Sequence, residues 1–102
     1  MSTSDPLDLQ GQQDAQAQTE ARARALAALE DDDLKWLLSS KRGRRIALRW
    51  LERAGVWRLS FNTNALSMAF AEGQRNAGLG LLARITLLVP ERYSEMLKEN
   101  AA

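Results

Sequence analysis

The sequence predicts a small all-α domain, a bundle of four to five helices with a polar N-terminal arm. Apolar residues recur at three- and four-residue spacing over most of residues 34–99, as they do on helix faces. Only one short extended segment could be proposed, and a single strand has nothing to pair with. A chain of 102 residues is enough for one domain. We expect its stability to be marginal unless a partner adds to it.

The composition argues against an enzyme. The chain has no cysteine and no histidine, so thiol nucleophiles, disulfides, imidazole bases and nearly all zinc sites are absent. We therefore predict no catalytic, cofactor-binding or metal-ligating residues and no cofactor. The polar N-terminus does not resemble a signal peptide. The longest apolar-rich stretch, residues 77–89, contains Arg84 and is too short to span a bilayer, so no membrane segment is expected.

The N-terminal third is polar and poor in core-forming side chains. Residues 1–18 are predicted to form an arm that is disordered or becomes ordered on a partner, and residues 19–102 a single helical domain with its compact core at about 32–99. From Thr19 the chain is rich in alanine, and Leu26 and Leu29 are the only large apolar residues before the acidic run. Acidic residues 31–33 then suggest the cap of a separate short helix at 34–38.

A basic helix is predicted at residues 40–55. Ser40 or Ser39 suits its N-cap, and Gly55 suits the left-handed residue that ends it. One face is apolar and carries Ile46, Ala47, Trp50, Leu51 and Ala54. The candidate contact residues are the cations Lys41, Arg42, Arg45, Arg49 and Arg53. Between residues 41 and 58 there are seven cations and one anion, whereas the residues just before 34 are acidic.

Three interpretations of this basic face stay open. It could be a solvated surface, a protein interface in which guanidinium groups meet carboxylates, or a nucleic-acid contact in which the Arg42–Arg53 stripe follows phosphates. A helix-turn-helix is a poor match, because Gly43 already lies inside the basic run rather than in a turn before it.

The C-terminal half is predicted to contain two more helices. Val56, Trp57 and Phe61 are expected to fill the core from a loop. A long helix should follow at about residues 65–88, with an inner face formed by Leu66, Phe70, Ala77, Leu81, Ile85 and Leu88.

Three glycines at 73, 78 and 80 indicate either a close backbone approach or a break near residues 77–80. Glu72 and Arg75 are either an exposed polar face or a pair that reaches the basic helix or Trp57. Pro90 should open a last helix that packs through Tyr93, Met96 and Leu97. Trp36, Trp50, Trp57 and Phe70 are assigned to the core.

Several sequence words resemble a known family. They are Gly43-Arg44-Arg45, then Arg53-Ala54-Gly55 with an aromatic at Trp57, and the stretch from Phe70 to Gly78. Over about residues 32–99 the chain is similar to the small Bordetella-phage-type domain found in structural-gene clusters of short-tailed bacteriophages. The family usually carries an aromatic residue soon after the Gly-Arg-Arg word, where this chain has Ile46 and Ala47.

The resemblance implies a biological context and not a reaction, since it identifies no catalytic residues. It implies a phage structural or assembly protein, present in many copies in the virion or in the host cytoplasm during assembly. The expected partners are portal, head-to-tail connector or ejection proteins, contacted through the basic helix and the arm. A small DNA-binding module for packaging or regulation, with the same arginines on phosphates of packaged DNA, is the alternative.

Overall fold

The computed structural model describes residues 8–101, which form four helices and no strand. The helices are α1 (Leu9–Leu38), α2 (Lys41–Ala54), α3 (Ala65–Leu88) and α4 (Pro90–Glu99). The predicted all-α class is therefore confirmed. None of the helices in the described range is long and apolar enough to cross a membrane.

The chain divides into two compact units, Met1–Asp32 and Asp33–Ala102. The first unit, as far as the structure describes it, consists of α1 from its start. Asp8 accepts a hydrogen bond from the Gly11 backbone N–H at 2.9 Å, as an N-cap residue does. Residues 9–18, predicted as part of a polar arm, are thus helical, whereas residues 1–7 of that arm lie outside the described residues.

The separate helix predicted at residues 34–38 does not exist as such. α1 runs without interruption through the acidic residues 31–33 to Leu38, and these carboxylates lie inside a helix instead of capping one. The physical reason is the surrounding sequence. No glycine or proline occurs between Gln12 and Leu38, and the alanine-rich stretch before the acidic run has high helix propensity.

The core of the second unit is aliphatic. It is built where α2, α3 and α4 pack against one another and where the last turns of α1 reach them. Its buried members are Leu38, Ala47, Leu48, Leu51, Val56, Ile85, Val89 and Met96. Tyr93 and Leu34 pack against its edge, but Leu97, predicted to pack, is 41% exposed.

Local capping explains why α2 begins and ends where it does. Ser40, one of the two predicted caps, accepts a hydrogen bond from the Gly43 backbone N–H at 3.0 Å. Gly55 adopts φ +80°, and the N–H groups of Gly55 and Val56 bond to the carbonyls of Glu52 and Leu51. Both signals predicted from the sequence are confirmed, and the helix is fixed at both ends.

One glycine of α3 is explained by a close approach. α3 is unbroken, and a Cβ at Gly78 would lie 2.6 Å from both Ala54 Cβ and Val56 Cγ2. The backbone of α3 can therefore contact the end of α2 only because Gly78 has no side chain. Gly73 and Gly80 are different, because a Cβ at either would have no neighbouring atom within 4 Å.

The prediction that the large aromatic residues hold the core is wrong. Trp36 is 76% exposed, Trp50 51%, Trp57 49% and Phe70 70%. Trp50 lies at the edge of the α2 face that buries Ala47 and Leu51, since neighbouring helical residues diverge by about 100°.

The other misassigned core residues lie around the loop and the start of α3. After the turn at Gly55 the core position is taken by Val56, whereas Trp57 and Phe61 point away from it, Phe61 with 79% exposure. Of the predicted inner face of α3, Leu66, Phe70 and Ala77 are exposed. Ile85 is buried, and Leu81 and Leu88 are partly buried.

Candidate interaction surface

The five predicted contact residues all lie exposed on one side of α2. Lys41, Arg42, Arg45, Arg49 and Arg53 form this basic face. The buried residues of α2, including Ala47, Leu48 and Leu51, lie on the opposite side. The helix therefore packs one side against the core and presents its cations to solvent on the other side, as the 3.6-residue period requires.

No residue of the basic face is neutralised within the described part of the chain. Arg44, Arg75 and Arg92, in contrast, each form an ion pair with a carboxylate there. Successive cations four residues apart are displaced by about 6 Å along the helix axis. The basic face thus offers a row of guanidinium groups on a rigid helix, available to carboxylates or phosphates of another molecule.

Arg44 is one of the seven cations between residues 41 and 58 but not one of the predicted contact residues, and its role differs from theirs. It is 8% exposed, and its Nε lies 2.6 Å from Glu99 Oε1. The same guanidinium donates to the Leu38 carbonyl at 3.0 Å and lies 3.5 Å from Glu95. A signal for this role was present in the sequence, because residues 44, 47, 48 and 51 share the spacing of one helix face.

A second surface, which the sequence prediction missed, flanks the loop between α2 and α3. A groove of about 530 Å³ lies between this loop and the first half of α3. Leu59 and Phe61 line it from the loop, and Met68 and Ala69 line it from the helix. Leu59 is 93% exposed, so this surface leaves large apolar side chains in water.

Polar contacts hold one wall of this groove. Ser60 donates a hydrogen bond to the Glu72 carboxylate, which ties the loop to α3. Arg75 Nη1 lies 3.5 Å from the other oxygen of Glu72. In the described part of the chain, the polar contacts of Glu72 are with Ser60 and Arg75, and not with α2 or Trp57. Glu72 instead joins the loop to its own helix, which is a structural role.

Arg58 belongs to neither surface. Its Nη2 donates to the carbonyls of Glu52 and Arg53, at 3.2 and 3.5 Å. Both carbonyls lie in the last turn of α2, where no further helical N–H follows to bond them, and the Glu52 carbonyl also accepts from the Gly55 N–H of the cap. A basic side chain at this position thus completes the C-terminal cap.

Most of these features lie in a region of the chain that matches a known protein family. The model of the Bbp19-like phage protein family matches residues 34–98, well over half of the chain. The chain belongs to this family. The match confirms the phage-type resemblance drawn from the sequence words. Comparison with curated proteins and with solved structures gave no significant match.

The Bbp19-like match includes both surfaces. It begins in the last turns of α1, contains α2, the loop and α3, and ends one residue before the end of α4. The basic face and the Arg44–Glu95 contact are therefore inside the matched region, whereas Glu99 lies just beyond it. The first unit, including residues 9–32, is outside the match.

Proposed function

We propose that this Bbp19-like phage protein acts without catalysis, as a small structural or assembly component whose basic face binds an acidic surface of a partner protein. The observation that carries the proposal is the set of five outward cations that find no carboxylate in the described chain. They sit on a helix that is capped at both ends and buried on its opposite side. The backbone of such a helix loses little further conformational entropy on binding, although each Arg or Lys side chain that becomes immobilised costs about 0.5–1.5 kcal/mol.

Two further features support a role in binding. The chain has no thiol and no imidazole, the side chains that most easily serve as nucleophile and general base near neutral pH. Membership of the phage family indicates that the protein acts in a phage context. Within that context, the partners we propose are portal, connector and ejection proteins. The protein would act in the virion or in the host cytoplasm during assembly, with residues 1–18 lying along a neighbour.

The first test is to find the protein in the phage. Mass spectrometry of purified particles should detect it at a fixed copy number, and cryo-electron microscopy of the same particles should locate it at the portal vertex. Its absence from mature particles, together with abundance in infected cells, would contradict a virion role and favour a transient assembly factor.

The second test concerns the basic face. The double variant Arg45→Glu, Arg49→Glu should keep a cooperative helical melt but lose capture of the phage partner, because two guanidinium groups become carboxylates. The matched control is Arg22→Glu, Arg24→Glu, which reverses two exposed cations of α1 outside this face. Equal loss of partner by both variants would contradict the proposal.

The axial spacing of the basic face also supports a second candidate, a DNA-binding module. Cations about 6 Å apart along a helix could follow a phosphate backbone. This candidate expects the logarithm of the affinity for duplex DNA to fall with the logarithm of salt, by about 0.9 for each phosphate neutralised. A slope of about −4, abolished in the Arg45, Arg49 variant, would favour DNA over an acidic protein.

A further inference from the structure

Trp50 lies beside the basic face of α2 and leaves half of its side chain in water. It is 51% exposed, although the next residue, Leu51, is fully buried. A tryptophan side chain that is covered buries about 150–250 Å², so on the order of 100 Å² of this ring is still open to solvent. Because α2 is capped at both ends, the indole projects from a fixed backbone, and its place relative to the cations is set by the helix.

Ile46 extends the same edge of α2. It is partly buried and lies four residues before Trp50, so the two side chains are neighbours on the helix surface. The same spacing places Ile46 next to Arg42 and Arg49, and Trp50 next to Arg53. We call Ile46 and Trp50 the apolar edge. The cations and the apolar edge therefore form one continuous surface on a single helix.

The cations determine the charge and the spacing of a molecule that can cover this surface. They are exposed, and none of them forms an ion pair within the described part of the chain. Cations four residues apart repeat at about 6 Å along the axis of α2. Carboxylates four residues apart on a second helix repeat at the same distance, so two helices lying side by side can bring opposite charges into register.

We infer that the partner contributes an acidic amphipathic helix, whose carboxylates meet the basic face and whose apolar side chains cover Trp50 and Ile46. Tryptophan and arginine are enriched among the interface residues that contribute most of the binding energy. The apolar edge adds a specificity that charge alone lacks, because it distinguishes an amphipathic surface from a uniformly acidic one. The inference rests on the proposed function, since it describes the partner of the same basic face.

Single-stranded nucleic acid is the other molecule that binds tryptophan next to arginine. It requires aromatic rings on which successive bases stack, whereas Ile46, the second member of the apolar edge, is aliphatic. Trp57 does not continue a stacking row along the cations, because it lies beyond the end of α2 and lines a shallow pocket with Glu52, whose carboxylate repels phosphates. These two neighbours favour a protein as the occupant.

Two synthetic helical peptides of identical composition and charge test the chemistry. In the first, glutamates recur at four-residue spacing and leucines lie on the adjacent face. In the second, the leucines are moved to the face opposite the glutamates. Fluorescence anisotropy of the labelled peptides should give a Kd at least about tenfold lower for the first, because only that peptide covers Trp50. Equal Kd values overturn the inference, and so does a lack of binding by both peptides up to about 1 mM.

Three variants separate the apolar edge from the basic face. Trp50→Ala should raise the Kd of the first peptide at least about tenfold and leave that of the second unchanged. Trp36→Ala is the matched control, since it removes an exposed indole outside the basic face, and it should change neither Kd. Arg45→Glu, Arg49→Glu should weaken the binding of both peptides. If it weakens neither, the proposed function and the inference fail together. If it weakens both while Trp50→Ala behaves like Trp36→Ala, only the inference fails.

A second measurement keeps Trp50 in place and so does not depend on how well Trp50→Ala folds. In the variant Trp36→Phe, Trp57→Phe it is the only tryptophan, and its fluorescence reports on the apolar edge alone. The first peptide should lower the acrylamide quenching constant at least about twofold, because a desolvated indole is shielded from the quencher. Unchanged quenching with the peptide bound overturns the inference. Tighter binding of an oligodeoxythymidine that also protects Trp50 would overturn it too, in favour of base stacking.

Discussion

Arg44 and Glu99 join α2 to α4 through an ion pair with 2.6 Å between Nε and Oε1. The two side chains are 9% and 17% exposed, so the pair is largely removed from water. The Leu38 carbonyl receives a further hydrogen bond from the guanidinium, which brings the end of α1 into the same cluster. Several partners hold this buried charge at once, and loss of Arg44 would remove its contact from both Glu99 and the Leu38 carbonyl.

Replacing Arg44 by alanine should destabilise the fold by about 2–3 kcal/mol. This is below the about 3–5 kcal/mol expected for a fully buried pair, because Glu95 is 42% exposed and keeps its contact with Arg92. Chemical denaturation followed by circular dichroism would measure it. Arg45→Ala, at the exposed neighbouring position, should change the free energy of unfolding by no more than about 0.5 kcal/mol. Equal effects of the two changes would contradict a special role for Arg44.

Gly78→Ala should destabilise the protein, although alanine is the better helix former. The new methyl group would lie 2.6 Å from Ala54 and Val56, and the resulting overpacking costs about 1–3 kcal/mol. Gly80→Ala is the control, and it should stabilise the helix by up to about 1 kcal/mol because its Cβ meets open space. Thermal melts of the two variants and the wild type measure both values. A stabilising Gly78→Ala would show that α2 and α3 do not approach closely.

The two adjacent serines before α2 should differ in their contributions to stability. Ser40→Ala removes the hydrogen bond to the Gly43 N–H and should cost about 1 kcal/mol. Ser39→Ala loses only an exposed bond from its hydroxyl to the Trp36 carbonyl and should cost less than about 0.5 kcal/mol. The comparison of the two melts decides which serine is the cap. A larger loss for Ser39→Ala would contradict the observed capping.

Tryptophan fluorescence should report solvent-exposed indoles. Trp36, Trp50 and Trp57 are each about half exposed or more, so the emission should be strongly quenched by acrylamide. Unfolding should shift the emission maximum only slightly, because a large part of each ring is already in contact with water. A large red shift on unfolding would contradict the exposed positions and indicate that the tryptophans are buried in the core.

Helix ends were predictable because each depends on a few neighbouring residues. The Ser40 cap, the stop at Gly55 and the proline that opens α4 are local signals, and all three are observed. The outward position of the five cations followed in the same way from the helical period. The use of the basic face in binding stays a prediction, as does the division into a polar arm at 1–18 and a domain at 19–102.

The side chains that fill the core were less predictable, because this depends on how helices meet. Trp50 and Leu51 are adjacent and both apolar, and only the packing of α2 against α3 and α4 decides that Leu51 is buried. Arg44 can lie on the core face because the carboxylates of Glu95 and Glu99, about fifty residues later in the chain, form ion pairs with its guanidinium. The continuity of α1 through the acidic run was missed because capping residues also occur inside helices.

The long exposed helix has a consequence for how unfolding is measured. In α1 only Leu38 is buried, so residues 9–32 gain their helical form from local hydrogen bonds rather than from a core. Such a segment should melt gradually and exchange its amide protons quickly, while the unit from Asp33 onward opens cooperatively. A helical signal summed over the whole chain would therefore broaden the transition and lower the apparent enthalpy, as expected when unfolding is not two-state. Site-specific hydrogen exchange separates the two processes.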